Sequence, residues 1–96
     1  MMHTDKVIDI RAKQDVMRQT HYSIDKLQDQ LLYFRGWNND DEKRIQAAAD
    51  ECERIYRSDE YLTYREWKRL FERVDKLRDY EEALYYGAEL HLPDKI

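Results

Sequence analysis

Apolar positions recur at helical spacing over three stretches of the 96-residue chain, with short polar breaks between them. The clearest stretch begins in YLTYREWKRLF, residues 61–71. Trp67, Leu70, Phe71, Val74, Leu77, Leu84, Tyr85 and Ala88 follow at intervals of three, four and seven, which aligns them on one helix face. Thr63 and Glu66 have the spacing of a capping box, in which hydroxyl and carboxylate each satisfy the other residue's amide. Leu62 and Trp67 then occupy the positions of a hydrophobic staple. Together these signals predict a helix over 64–88, with Gly87 and Pro93 marking where it can end. The rings are read as core rather than as platforms for nucleic-acid bases, although aromatics and bases alternate here.

A second stripe, Ile45, Ala48, Ala49, Cys52, Ile55 and Tyr56, predicts a helix over 40–57. Asn39 with Glu42 gives it a capping pattern, and Asp40 and Asp41 suit the positive end of its dipole. Upstream, Ile10, Met17, Ile24 and Leu31 recur every seven residues, with Leu27 and Phe34 at companion positions. This predicts a long helix over 5–35, started by Thr4 and ended by Gly36. Its first half is weaker, because Lys13 and Thr20 stand where Leu27 and Phe34 stand later. A strand at KVIDI is the alternative there, but no second strand is available to pair with it.

Composition sharpens the fold class. Two glycines and one proline leave little room for the turns of a β fold, so the chain reads as all-α, one domain over 1–96. Leu, Ile, Val and Phe supply only 20 residues, near the level at which chains stop folding. A net charge of only −4 and 12% aromatics favour a folded state. No apolar run approaches the ~18 residues that span a bilayer, and nothing reads as a signal peptide. Cys52 has no second cysteine to pair with, which predicts a reducing, cytoplasmic setting.

Short connections predict a three-helix antiparallel bundle running up, down, up. That register sets Ile24, Cys52 and Leu70 in one layer and Leu31, Ile45 and Leu77 in another. Both ends of the chain then overrun the bundle. The first carries Val7, Ile8, Ile10 and Val16; the second carries Leu84, Tyr85, Tyr86, Leu90 and Leu92. Straight rods leave these residues without intrachain partners, and exposed apolar helix surface marks an interface. The expectation is therefore a homo-oligomer, most simply a twofold dimer, with these arms on another chain; the alternative is that the arms fold back or fray.

The same register sorts charge. Arg65, Arg69 and Arg73 form a basic ridge on the third helix, which reads either as a solvated face or as an anion-binding strip. Asp40, Asp41, Glu42, Glu81 and Glu82 gather at the opposite, acidic end. Glu81 falls between Leu77 and Leu84 inside the apolar stripe; reaching water at the bundle end, or pairing with Arg35 or Arg44, would accommodate it.

Catalytic chemistry finds no support. His3, His21 and His91 match no zinc spacing, the acidic run after Asn38 lacks the calcium-loop pattern, and no Gly-rich phosphate loop or nucleophile motif occurs. No catalytic, cofactor or metal residue is assigned. The sequence therefore reads as a non-enzymatic protein–protein interaction module: an adaptor, regulator or inhibitor acting on a larger protein partner. The alternatives are nucleic-acid association through the basic ridge and a structural oligomer subunit. Small size, charge density and tyrosine content are compatible with proteins of phages and other mobile elements.

Overall fold

Three helices carry the chain: α1 (Met2–Tyr33), α2 (Asp40–Arg57) and α3 (Tyr64–Tyr85). The computed structural model describes the backbone of residues 2–58 and 61–96 and, from Ile10 onward, their side chains. Among the described residues there is no strand, so KVIDI belongs to α1, which is continuous. Nor is any helix among them long and apolar enough to cross a membrane.

The helix ends follow the local chemistry. At the start of α2, the Asn39 side chain accepts the Glu42 amide at 3.1 Å. Asp40, Asp41 and Glu42 lie in its first turn, and Arg54 and Arg57 in its last, each suited to the dipole. At the start of α3 the capping box is complete. Thr63 Oγ1 accepts the Glu66 amide at 3.2 Å, and Glu66 Oε1 accepts the Thr63 amide at 3.1 Å. Those bonds, the backbone one first, hold the Glu66 carboxyl below the usual range.

α3 stops at Tyr85 rather than at 88. The amide of Ala88 bonds to the Ala83 carbonyl and that of Gly87 to the Leu84 carbonyl, both at 3.0 Å, with Gly87 at φ 76°. This is the Schellman closure, which needs a left-handed residue at the position Gly87 fills. α1 ends at Tyr33, before Gly36 (φ 91°), and begins before Thr4, which is inside the helix and does not cap it.

Each helix contributes its stripe to one core. Ile24, Leu27 and Leu31 of α1 meet Ile45, Ala48, Ala49 and Cys52 of α2 and Trp67, Leu70, Val74 and Leu77 of α3, with Leu62 beside them. Burial pushes the Cys52 thiol up, as befits a packing residue. Thr20, an interruption in the α1 stripe, is fully buried and donates its hydroxyl to the Val16 carbonyl at 2.7 Å. Lys13, the other interruption, sets its ammonium 3.5 Å from the centroid of the Tyr61 ring.

Polar contacts between helices fix their relative heights. His21 Nδ1 lies 2.6 Å from the Tyr56 hydroxyl, and Gln28 donates to Glu53 at 2.9 Å. The Tyr56 and Trp67 rings meet at 5.6 Å, and Arg73 donates to Glu51 at 3.1 Å. The molecule measures 54 × 24 × 23 Å. The long dimension follows from α1, whose 32 residues rise about 48 Å.

The C-terminal arm departs from expectation. Leu84, Leu90 and Leu92, together with Ile96, pack against the core of their own chain, as does Val16 from the N-terminal side. The straight-rod register failed here because the chain turns at Gly87 and leaves the helix axis. Arg44 then donates to the Pro93 carbonyl, and Arg73 donates to the Ile96 carbonyl at 2.8 and 3.0 Å. The seven residues from Arg44 to Glu51 rise about 10 Å in α2, which three extended residues after Pro93 also span. Ile10 remains exposed, at 57%. Val7 and Ile8 lie outside the described side chains.

Leu27→Ala should therefore lower stability by about 2–5 kcal/mol, the range for an emptied core leucine. Thr63→Ala should cost about 1 kcal/mol through the lost cap. Urea unfolding followed by circular dichroism checks both, and equal losses would contradict this division between core and cap.

Candidate functional site

Two helix C-termini, those of α1 and α3, come together at one end of the molecule, and each ends in aromatic residues just before a left-handed glycine. Tyr33, Phe34, Gly36 and Trp37 close α1; Tyr85, Tyr86 and Gly87 close α3. The rings meet as a connected set. Tyr33 and Tyr85 lie 5.3 Å apart between centroids, Phe34 and Trp37 4.7 Å, and Tyr85 and Tyr86 5.2 Å, all edge-on. Phe34 is buried at their base, whereas Tyr33, Trp37, Tyr85 and Tyr86 are each more than half exposed.

Below the rings opens a cleft of about 500 Å³, lined also by Asp29, Gln30, Arg78, Glu81 and Glu82. That volume lies within the range of small-ligand sites. Its walls hold polar atoms short of partners: Gln30 Oε1 and Arg78 Nε are buried and unbonded, and the two carboxyl oxygens of Glu81 are buried with no partner apart from Glu42. Arg78 reaches Ser23 through Nη1, but only at 3.4 Å. Buried polar groups are seldom left in this state without a reason.

Glu81 does not reach water and does not pair with Arg35 or Arg44. It is completely buried and faces Glu42, which is equally buried. One Glu42 oxygen accepts Gln46 Nε2 at 2.9 Å, and the other lacks a donor. Two carboxyls so placed share a proton: a protonated Glu81 supplies the donor that Glu42 lacks. Burial first, then the hydrogen bond and charge of Glu42, push Glu81 up to about 9. The sequence hid this because Glu42 was read through its backbone, which the Asn39 cap uses, while its side chain turns inward.

Of the residues singled out from the sequence, the structure thus brings Tyr85, Tyr86, Glu81 and Glu82 to one site, with Glu42 behind it. Asp40 is exposed and Asp41 half-buried in the first turn of α2. The basic ridge is divided. Arg65 and Arg69 are exposed, but Arg73 is occupied by Glu51 and by the Ile96 carbonyl, and its hydrogen bond holds the Glu51 carboxyl below the usual range. Tyr33, Trp37, Gln30 and Arg78 were not anticipated. The matching signal was present in YFRGW and YYG, two aromatic pairs each followed closely by a glycine. Among the described residues no cluster of His, Cys, Asp and Glu could hold a metal ion.

The carboxyl pair predicts a pH dependence of stability. In the unfolded chain Glu81 releases its proton near its ordinary value of 4.5, and in the folded protein it keeps it to about 9. The folded state therefore binds the extra proton, so this contribution is full below the lower value and is lost as pH rises to the higher. The slope is at most roughly 1.4 kcal/mol per pH unit. Urea midpoints of the wild type should fall across this window relative to those of Glu81→Gln, and parallel curves would contradict the shared proton. Comparison of the chain with family models, with curated proteins and with solved structures finds no match.

Proposed function

We propose that the chain is a non-enzymatic protein–protein interaction module, a small helical adaptor, regulator or inhibitor that docks a larger partner through the aromatic and acidic face around the cleft. The observation that carries this reading is the exposed ring set of Tyr33, Trp37, Tyr85 and Tyr86, joined directly or through Phe34 at one end. Tyr and Trp are the residues that most often anchor protein interfaces, since they bury large area with little loss of side-chain freedom. Their hydroxyl and indole groups also let them stand in water until a partner arrives. Asp29 and Glu82 give the face an acidic border, which favours a basic partner surface. The setting is a reducing one such as the cytoplasm, in which Cys52 remains a thiol.

In this reading the three helices run up, down, up. The contacts of His21 with Tyr56 and Gln28 with Glu53 favour opposite directions for α1 and α2. Those of Tyr56 with Trp67 and Glu51 with Arg73 favour the same for α2 and α3. One observation favours a second reading, self-association into a homodimer or larger structural oligomer: the exposure of Ile10 on a helix far longer than α2 and α3. The C-terminal arm supports it less, since Leu84, Leu90 and Leu92 are partly buried against their own chain, although Tyr85 and Tyr86 stay exposed. Nucleic-acid association has the weakest support, because Arg73 is already engaged.

A tagged wild-type chain should retain a protein partner from its native host, and the Trp37→Ala/Tyr86→Ala variant should retain at least about tenfold less. Circular dichroism and the Tm should stay unchanged, since both side chains are exposed. Undiminished capture by a folded variant overturns the reading. Light scattering at tens of micromolar tests the dimer, which a monomeric mass excludes.

A further inference from the structure

We infer that the cleft between the closing turns of α1 and α3 is a receptor for an arginine side chain presented by the partner protein, the guanidinium lying against the Tyr33 and Tyr85 rings and bonding to Gln30 and Glu81. This rests on the interaction reading above and names the chemistry of its ligand. Four features together select a guanidinium.

The field is negative. α1 and α3 both end at the cleft, and neither carries a basic residue in its last turn. Two helix C-termini, each equivalent to about half a negative charge, thus have no cation in their own last turns. Asp29 and Glu82 add to them, against the single guanidinium of Arg78. A cation completes this site, and an anion would be repelled.

The unpaired atoms ask mainly for donors. Gln30 Oε1 and the Glu81 oxygen not engaged with Glu42 are acceptors, buried and without a donor. An arginine carries five N–H donors in a planar fork, whereas a lysine ammonium offers three from one point. The one unpaired donor, Arg78 Nε, requires an acceptor, which the backbone carbonyl of a peptide supplies.

The walls are aromatic. Tyr33, Phe34, Tyr85 and Tyr86 line the cleft, and guanidinium groups stack on such faces. Finally, Glu81 is completely buried yet lines the cleft, so a carboxyl is held at the floor where the cation would sit.

Occupancy also moves a proton. Glu42 from α2 faces Glu81, and the cleft that Glu81 lines is also bordered by Asp29, Gln30 and Tyr33 from α1 and by Arg78, Glu82 and Tyr85 on its own helix. A cation beside Glu81 favours its ionised form, so binding releases the proton it shares with Glu42. Affinity then rises with pH until Glu81 is ionised in the free protein.

The test is an NMR titration of the full chain with the capped peptide acetyl-Gly-Arg-Gly-amide, beside its citrulline counterpart, which is nearly isosteric but uncharged. Expected are saturable shifts of the Tyr33, Phe34 and Tyr85 ring signals, with the citrulline peptide at least about tenfold weaker. Glu82→Gln, an exposed change that leaves the fold intact, should weaken the arginine peptide about two- to fivefold. Affinity should increase from about pH 6 to about pH 8.5. No saturable shift up to tens of millimolar, or equal binding of the citrulline peptide, overturns the inference. An affinity flat with pH overturns the part given to Glu81. If partner capture depends on Trp37 and Tyr86 while the peptide leaves the cleft unchanged, this inference falls and the interaction reading stands. If the peptide binds as described but capture is unaffected by those residues, the interaction reading falls instead.

Discussion

No helix of this chain can shelter its own apolar stripe, and everything else in the structure is arranged around that constraint. An isolated helix of 18 or 22 residues is marginal in water even with good caps. Here each stripe is covered by the other two, so Leu27, Ile45, Val74 and Leu77 are buried only while all three helices are in place. Small residues make the close approach feasible: Ala48, Ala49 and Cys52 on α2 face bulky neighbours on α1 and α3. A core built so thinly, in a chain with 40% charged residues, leaves few apolar side chains to spare. The rings that remain uncovered at the cleft are conspicuous for that reason.

Much of the architecture was legible in the sequence because it is written in local chemistry. The Thr63–Glu66 box, the Asn39 cap and the two glycines act within four residues, and the three stripes need only the helical period. The parts that were not legible depend on what lies across the core. Glu81 could be placed in a stripe, but nothing local says that another carboxyl opposes it. Thr20 looked like a flaw in the α1 stripe, yet its hydroxyl is satisfied one turn back along its own helix.

The C-terminal segment illustrates a different limit. Residues after Gly87 have no period, so the register argument extended α3 as a straight rod and left its apolar residues outside. In the structure the backbone carbonyls of Pro93 and Ile96 are bonded by Arg44 and Arg73. The same arginine therefore removes a member of the basic ridge and secures the returning segment. Side-chain bonds to irregular backbone have no signature in hydrophobic patterning. Candidate sites inferred from a helical wheel alone inherit that blindness, which is why Leu90 and Leu92 were left without partners in their own chain.

Gly36 and Gly87 both hold backbone conformations that side chains rarely adopt, and a methyl group added at either would meet nothing within 4 Å. Space is thus available at both corners, and torsional handedness alone restricts them. The directions in which Trp37 and the segment after Tyr86 depart are set at these two hinges of chirality. Natural drift at either corner would be filtered by backbone geometry rather than by crowding, and a D-amino acid could occupy it where an L-alanine could not do so without strain.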